Sequence, residues 1–298
     1  MTSHESPGAP ARLTVGVVSA GRVGTALGQA WEHAGHLVVA TSAISDASRR
    51  RAADRLPDAV VLPPDEVAGR VDLLLLAVPD DALAGLVAGL ASTGAVRPGQ
   101  IVVHTCGARG VGVLEPLTRL GALPLALHPA MTFTGHPEDT ARLASCCFGV
   151  TARDELGWAV GEALVLEVGA EPVRVAEADR ETYHAALAHG ANHLVTLVRD
   201  AVQVLESVTT GGVPAERLLS PLLSAALDNA LRHGDRALTG PVARGDAAAV
   251  AAHLRVLRAV DPELAEAYRA LSRRTAQRAE QHALITAAAA RAVLEELS

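Results

Sequence analysis

Between Leu13 and Gly28 the chain reads LTVGVVSAGRVGTALG, and this stretch limits what the chain can fold into more than any other. Residues 13–17 are mostly apolar and β-favouring, which predicts a short buried strand. Small residues follow (Val18, Ser19, Ala20, Gly21), then Gly24, and residues 22–35 read as a helix. Strand, tight turn and helix in that order aim backbone N–H groups and a helix N-terminus at a phosphate. Gly21 lets backbone approach a pyrophosphate, and Gly24 lets the helix lie close on the strand. Ser19 stands where the G-x-G-x-x-G fingerprint has its first glycine, and serine makes such a turn if its φ stays negative. Ser19, Ala20, Gly21, Arg22, Val23 and Gly24 are therefore candidate dinucleotide-binding residues. The alternative is a βα turn whose glycines serve packing alone.

The remaining pattern extends this unit. Residues 36–41 (HLVVAT) form a second strand, followed by Ser42, Ser45, Asp46 and the run Arg49, Arg50, Arg51. No acidic residue stands directly at the strand end to hold a ribose 2′-OH, whereas Ser42, Ser45 and the arginines suit a 2′-phosphate. NADP(H) is the expected cofactor, with Asp46 the feature that argues against it. Further strands are predicted at 59–62, 71–79, 100–105, 123–127, 148–151 and 171–175, with helices at 82–92, 113–120 and 156–167. The run VDLLLLAVP at 71–79 has the continuous apolar character of a strand covered on both faces, and its carboxyl end presents Val78 and Pro79. Strands alternating with helices predict an α/β fold with a doubly wound parallel sheet.

From about residue 176 the pattern is helix only, beginning with a long apolar-faced helix at 177–207. Gly211, Gly212 and Pro214 break it, and helices follow at 215–233, 246–260 and from 262 to near 297. Asp246 and Asp261 are expected N-caps, with Pro262 at the first helical position. The expected organisation is a disordered lead-in at 1–11, an NADP-binding domain at 12–175 and an all-helical substrate and dimerisation domain at 176–298. A homodimer through the C-terminal helices is expected.

Composition narrows the chemistry. All 26 basic residues are arginine, so no lysine is available as a general acid or Schiff base. The net charge of −7 argues against a nucleic-acid or anionic-membrane partner. Three cysteines, two of them adjacent, are not a disulfide framework. No apolar run reaches the ~20 residues of a membrane span, and the polar start is unlike a signal peptide. A cytoplasmic, soluble protein acting on a small molecule is expected.

The chain also resembles a known group. Its marks are G-R-V-G at 21–24, H-T-C-G at 104–107, His128-Pro129, Y-H-A-A at 183–186 with Asn192, and L-T-G-P-V-A-R-G-D at 238–246. With the all-helical second half, these resemble Rossmann-like oxidoreductases of the 6-phosphogluconate-dehydrogenase-like superfamily. Relatives there are ketopantoate reductase, pyrroline-5-carboxylate reductase and prephenate dehydrogenase. The chain is most similar to a bacterial family with an uncharacterised helical C-terminal domain. The sequence departs from the pattern at Ser19 and at Cys106, where serine is more usual. The resemblance implies reduction of a small carboxylate-bearing keto acid, best matched by ketopantoate. Imine reduction of the pyrroline-5-carboxylate type is a second possibility, and a non-catalytic NADP(H)-binding sensor or scaffold a third.

In such an enzyme the nicotinamide would lie between Val78-Pro79 and the turn at 105–107 that holds Cys106. Reducing C=O or C=N also needs a proton donor. His184 and Asn192, eight residues apart on one helix face, fit as donor and carbonyl-orienting amide. His128, at a strand's carboxyl end, is the alternative acid. Arg244, just before a helix N-terminus, could hold a substrate carboxylate with help from Thr239. His189 and His193 form an i, i+4 pair with no clear third ligand, so no metal is expected.

Overall fold

The computed structural model describes residues 12–210 and 212–298. The expected lead-in at 1–11, and Gly211, lie outside the described residues. Through β8 the order is β1 (Thr14–Val18), α1 (Arg22–His33), β2 (Leu37–Thr41), α2 (Asp46–Arg55), β3 (Val60–Val61), α3 (Pro64–Ala68), β4 (Leu73–Leu76), α4 (Asp80–Thr93), β5 (Ile101–His104), α5 (Glu115–Thr118), β6 (Leu123–Pro129), α6 (Glu138–Leu143), β7 (Cys147–Ala152), α7 (Glu155–Glu167) and β8 (Glu171–Arg174). Helices follow: α8 (Arg180–Glu206), α9 (Ala215–His233), α10 (Gly240–Ala243), α11 (Ala247–Val260), α12 (Pro262–Gln281) and α13 (Ala287–Glu296). The chain divides into two compact units, the first ending at His189 and the second spanning Gly190–Ser298. The sheet thus ends one residue before the boundary read from composition, and the compact units divide later, within α8.

The sheet is a Rossmann-like one with strand order β3-β2-β1-β4-β5-β6-β7-β8. Leucines of β4 alternate between two cores. Leu73 and Leu75 join Val15, Val17, Trp31 and Phe148 on one side. Leu74 and Leu76 join Val67, Leu83, Val87 and Leu114 on the other. This two-sided burial is why the strand reads as an unbroken apolar run. The register pairs Val18 with Leu76 and Leu76 with His104, so β1, β4 and β5 end along one line. β6 runs on past the His104–Ala126 pairing to His128 and Pro129.

The sheet is not wholly parallel, in contrast to the expectation. β7 pairs antiparallel with β6, placing Gly149 opposite His128. The connection from β6 carries only the six-residue α6, which Thr140 ties to Gln29 and Arg55 of α1 and α2. The chain then re-enters the sheet from the end at which β6 finished.

The turn after β1 also differs from its expected form. Ser19 takes φ +80°, the left-handed region that glycine would occupy. Its N–H donates to Ser42 Oγ (2.9 Å), and the N–H of Ala20 donates to the Ser42 carbonyl (2.8 Å), so two bonds hold the strained residue. A left-handed non-glycine costs about 1–2 kcal/mol. Ser19→Gly is therefore expected to stabilise the protein by about 1 kcal/mol in urea denaturation, after the entropic cost of an added glycine. Gly24 is required for contact: a Cβ there would lie 2.3 Å from the Ser19 carbonyl and 3.0 Å from Val17 Cγ1. Because the first obstacle is backbone, Gly24→Ala is expected to cost about 1–3 kcal/mol by overpacking and to weaken nucleotide binding sharply. Denaturation and nucleotide titration of the same preparation check both effects.

The second unit is built as its sequence suggests. Asp246 Oδ1 caps α11 through the N–H of Ala249, and Asp261 caps α12 through Glu263 and Leu264, with Pro262 in the first turn. Val250, Leu254, Ala276, Val293 and Leu297 form its core. Among the described residues no helix is long and apolar enough to cross a membrane.

Candidate active site

In an open α/β sheet the ligand crevice opens where strand order reverses, beyond the carboxyl ends of the strands. Here that point lies between β1 and β4. Gly21 is the N-cap of α1, no side chain caps this helix, and no acidic residue occupies its first turn. Its leading N–H groups and positive dipole end are thus left for an outside acceptor, which suits a phosphate. Arg51 Nε donates to the Ala20 carbonyl at 3.3 Å, bringing a guanidinium against the same turn. Arg22 is exposed and Val23 half-buried.

The serines after β2 have separate tasks. Ser42 is buried, and its hydroxyl accepts from Ser19 while keeping its own hydrogen to donate. Ser45 is the N-cap of α2, accepting from the N–H of Ser48. Asp46 sits in the first turn of that helix, where a negative charge is favoured. Arg49 and Arg50 are exposed.

Two strands along, the ends of β4, β5 and β6 meet the start of α8. Val78 is half-buried, and exposed Pro79 is the N-cap of α4. Cys106 is buried, and burial followed by the Asp80 carboxylate pushes its pKa up to about 11. The thiol is therefore protonated and inert at neutral pH. His104 is fully buried, accepting at Nδ1 from the N–H of Cys106 (3.2 Å) and donating from Nε2 to the Gly110 carbonyl (2.9 Å). Burial brings its pKa down to about 4, so it is a neutral structural imidazole that shapes the turn above it.

His128 and Tyr183 form the chemical centre of this edge. His128 Nδ1 lies 3.0 Å from the Tyr183 hydroxyl, and the rings meet edge to face. The phenol is the better donor of the two and an imidazole nitrogen the better acceptor, which assigns the hydroxyl hydrogen to the bond with His128 Nδ1. His128 then carries its own hydrogen on Nε2. Burial, then Arg180 and His184, lower its pKa to about 4, with Asp80 opposing. At neutral pH His128 is a neutral imidazole that can pass a proton but does not store a second one. Half-buried His184 lies edge-on to His128, centroids 6.0 Å apart.

Two glycines make room for these rings. A Cβ on Gly107 would lie 2.6 Å from His184 Cδ2 and 2.9 Å from His128 Nε2. One on Gly149 would lie 2.6 Å from the Tyr183 hydroxyl. The glycine of H-T-C-G is thus the floor under both histidines.

The sequence-predicted residues divide accordingly. His128, His184, Cys106, Val78 and Pro79 gather at the sheet edge of the first unit. Asn192, Thr239 and Arg244 belong to the second unit, where all three are exposed. Tyr183 was legible only as part of Y-H-A-A, and the role of Arg180 left no mark in the sequence. Among the described residues, no group of three or more His, Cys, Asp or Glu side chains is placed to hold a metal ion.

Comparisons with known proteins agree with this architecture. Residues 2–129 match a Rossmann-like domain model, and residues 146–275 match a domain of unknown function, DUF2520. No curated protein matches the sequence. A Bacteroides fragilis protein provisionally named an NADP oxidoreductase is similar at TM-score 0.74 and 22% identity, over 89% of this chain and 98% of that one. A Streptomyces aurantiacus imine reductase is similar at TM-score 0.61 and 13% identity, over 96% and 99%. A pyrroline-5-carboxylate reductase from Coxiella burnetii is similar at TM-score 0.55 and 14% identity, over 89% and 99%. At these identities the likeness is one of fold.

Proposed function

We propose that this chain is an NADP-dependent oxidoreductase that reduces the C=N or C=O bond of a small molecule, with a carboxylate-bearing substrate. The observation that carries the reading is the shared sheet edge. An uncapped helix N-terminus over a glycine turn and a histidine–tyrosine pair lie along the same line of strand ends. Around the turn, Gly21, Gly24 and the Ser42 hydroxyl would hold the cofactor, and Arg51, bonded to the Ala20 carbonyl, would meet a 2′-phosphate. Bound NADPH supplies the hydride.

The protein's own part is the proton. His128 Nε2–H gives it to the developing anion, and the Tyr183 hydroxyl replaces it at Nδ1, so the imidazole stays neutral throughout. This assigns delivery to His128 rather than His184; His184, half-exposed beside it, links the pair to solvent. Asn192 as an orienting amide, and Thr239 with Arg244 as carboxylate contacts, remain part of the proposal from sequence.

Of the substrate classes, an imino carboxylate draws support from the fold likeness to an imine reductase and a pyrroline-5-carboxylate reductase. A ketopantoate-like 2-oxo acid rests on the sequence resemblance. A homodimer through the helical unit is likewise proposed, supported by Leu222 and Leu231 of α9, which are 64% and 79% exposed.

Fluorescence titration with NADPH and NADH, followed by turnover assays with cyclic imines, imino acids and ketopantoate, tests the reading. Selective NADPH binding with loss of its absorbance on one of these substrates is the expected result. Binding without turnover on any of them would favour a sensor or scaffold, and binding of neither nucleotide would overturn the reading.

A further inference from the structure

Arg180 is 1% exposed, so its guanidinium is buried whole. Nε donates to Thr151 Oγ1 at 2.7 Å, and Nη2 donates to the carbonyls of Ala126 (2.8 Å) and Gly149 (3.1 Å). Nη1 has no partner. Every acceptor is neutral; no carboxylate pairs with this charge among the described residues. Burying an unpaired ion costs several kcal/mol, and a methionine would fill the same space without that cost. A cation kept under such conditions calls for a use beyond packing.

Its placement indicates one. Arg180 and Tyr183 lie one turn apart on α8, and the guanidinium carbon is 5.8 Å from the tyrosine ring centroid. The carbonyls it grips belong to Gly149, directly beneath the phenol, and to Ala126, two residues before His128. One guanidinium thus ties β6 to β7 where Gly149 and His128 face each other.

We propose that Arg180 is a positioning residue whose fixed positive charge, set behind the Tyr183–His128 pair, drives the phenolic proton toward His128. This rests on the proton relay put forward above. As the Nε2 proton moves to substrate, the phenolic proton moves to Nδ1 and the Tyr183 oxygen is left as a phenolate. The guanidinium receives that negative charge. The same cation opposes an imidazolium at His128, so the two transfers are coupled and a doubly protonated ring is avoided.

Other charges bear on the same groups. Asp80 and His184 act on His128, Cys146 and Cys147 on Tyr183, and Glu177 and Cys106 on Arg180 itself. Burial raises the Tyr183 pKa, and Arg180 is the largest influence in the opposite direction.

The chain has two tyrosines, so Tyr268→Phe leaves Tyr183 alone to be titrated by its phenolate absorbance in the cofactor-free protein. In that background Arg180→Met is expected to shift the titration to higher pH, and Arg180→Lys to return it toward the parent. Thr151→Asp places a carboxylate against Nε and cancels the charge with the arginine still present, so it is expected to shift the titration in the same direction as Arg180→Met. Whichever of Arg180→Met and Thr151→Asp folds, as judged by its thermal transition, decides the question. An unmoved titration in a folded variant would overturn the proposal and leave Arg180 a strand clamp. No turnover enters this measurement, so its failure is distinct from failure of the reductase reading.

Discussion

His128→Ala is expected to lower kcat/KM for NADPH-dependent reduction by about 10²–10⁴, the range that a positioned proton donor supplies. Tyr183→Phe is expected to fall in the same range, because it leaves the His128 ring in place but removes the proton that Nδ1 takes up as Nε2–H is given away. The two residues act in series through one hydrogen bond of 3.0 Å. The double variant should therefore be little worse than the poorer single one, in clear violation of additivity. His184→Ala should cost less, because its ring bounds the pair and carries no bond in the transfer chain. NADPH affinity, measured by fluorescence, should hardly change in any of the three, since none touches the glycine turn. Single-turnover absorbance and nucleotide titration on each variant check the pattern. Full activity in His128→Ala would remove the relay. Additive losses would mean that the two side chains act separately.

Much of the fold was legible because burial on two faces leaves a strong trace in sequence. The run Leu73–Leu76 had to be a central strand, and Asp246 and Asp261 announced their helices by chemistry that needs only local partners. Strand direction was not legible at β7. An apolar run carries no arrow, so the antiparallel pairing of β7 with β6 left no trace in it. The Ser19 conformation was misjudged for a similar reason. Its positive φ is held by Ser42, 23 residues away, and local preference alone pointed the other way. In the site, residue types could nominate histidines but not rank them. His104 and His128 both end strands, yet the ring nitrogens of His104 are committed to the backbone, while His128 Nδ1 meets a phenol. Arg180 is one of 26 arginines and became distinct only once three oxygens of β6 and β7 closed around it.

The same two histidines are expected to make the protein acid-sensitive in a defined window. Both have folded-state pKa values lowered from 6.5 to about 4, chiefly by burial. The neutral ring is the one the fold accepts, so between those limits the unfolded chain binds more protons and stability falls as pH falls. Above pH 6.5 neither ring contributes to the pH dependence; from there to about 4 the loss accumulates. At 1.36 kcal/mol per unit, each ring accounts for about 3 kcal/mol over the window. Together they approach the 5–15 kcal/mol by which folded domains are stable. Carboxylates such as Asp72, whose pKa is lowered by its bonds to Thr14, lose their contribution below this window, as pH falls from the ordinary carboxylate range through their folded values. The histidine slope can thus be read separately between pH 5 and 6.5. Urea denaturation across that range should show the stability falling toward acid, and His104→Gln, which cannot titrate, should flatten the slope by about one proton's worth whatever it does to absolute stability. The other histidines are common to both proteins and cancel in the comparison. A wild-type stability unchanged from pH 6.5 to 5 would mean that both imidazoles can charge in place. His128 would then be able to hold two protons, and the neutral relay through Tyr183 would lose its basis.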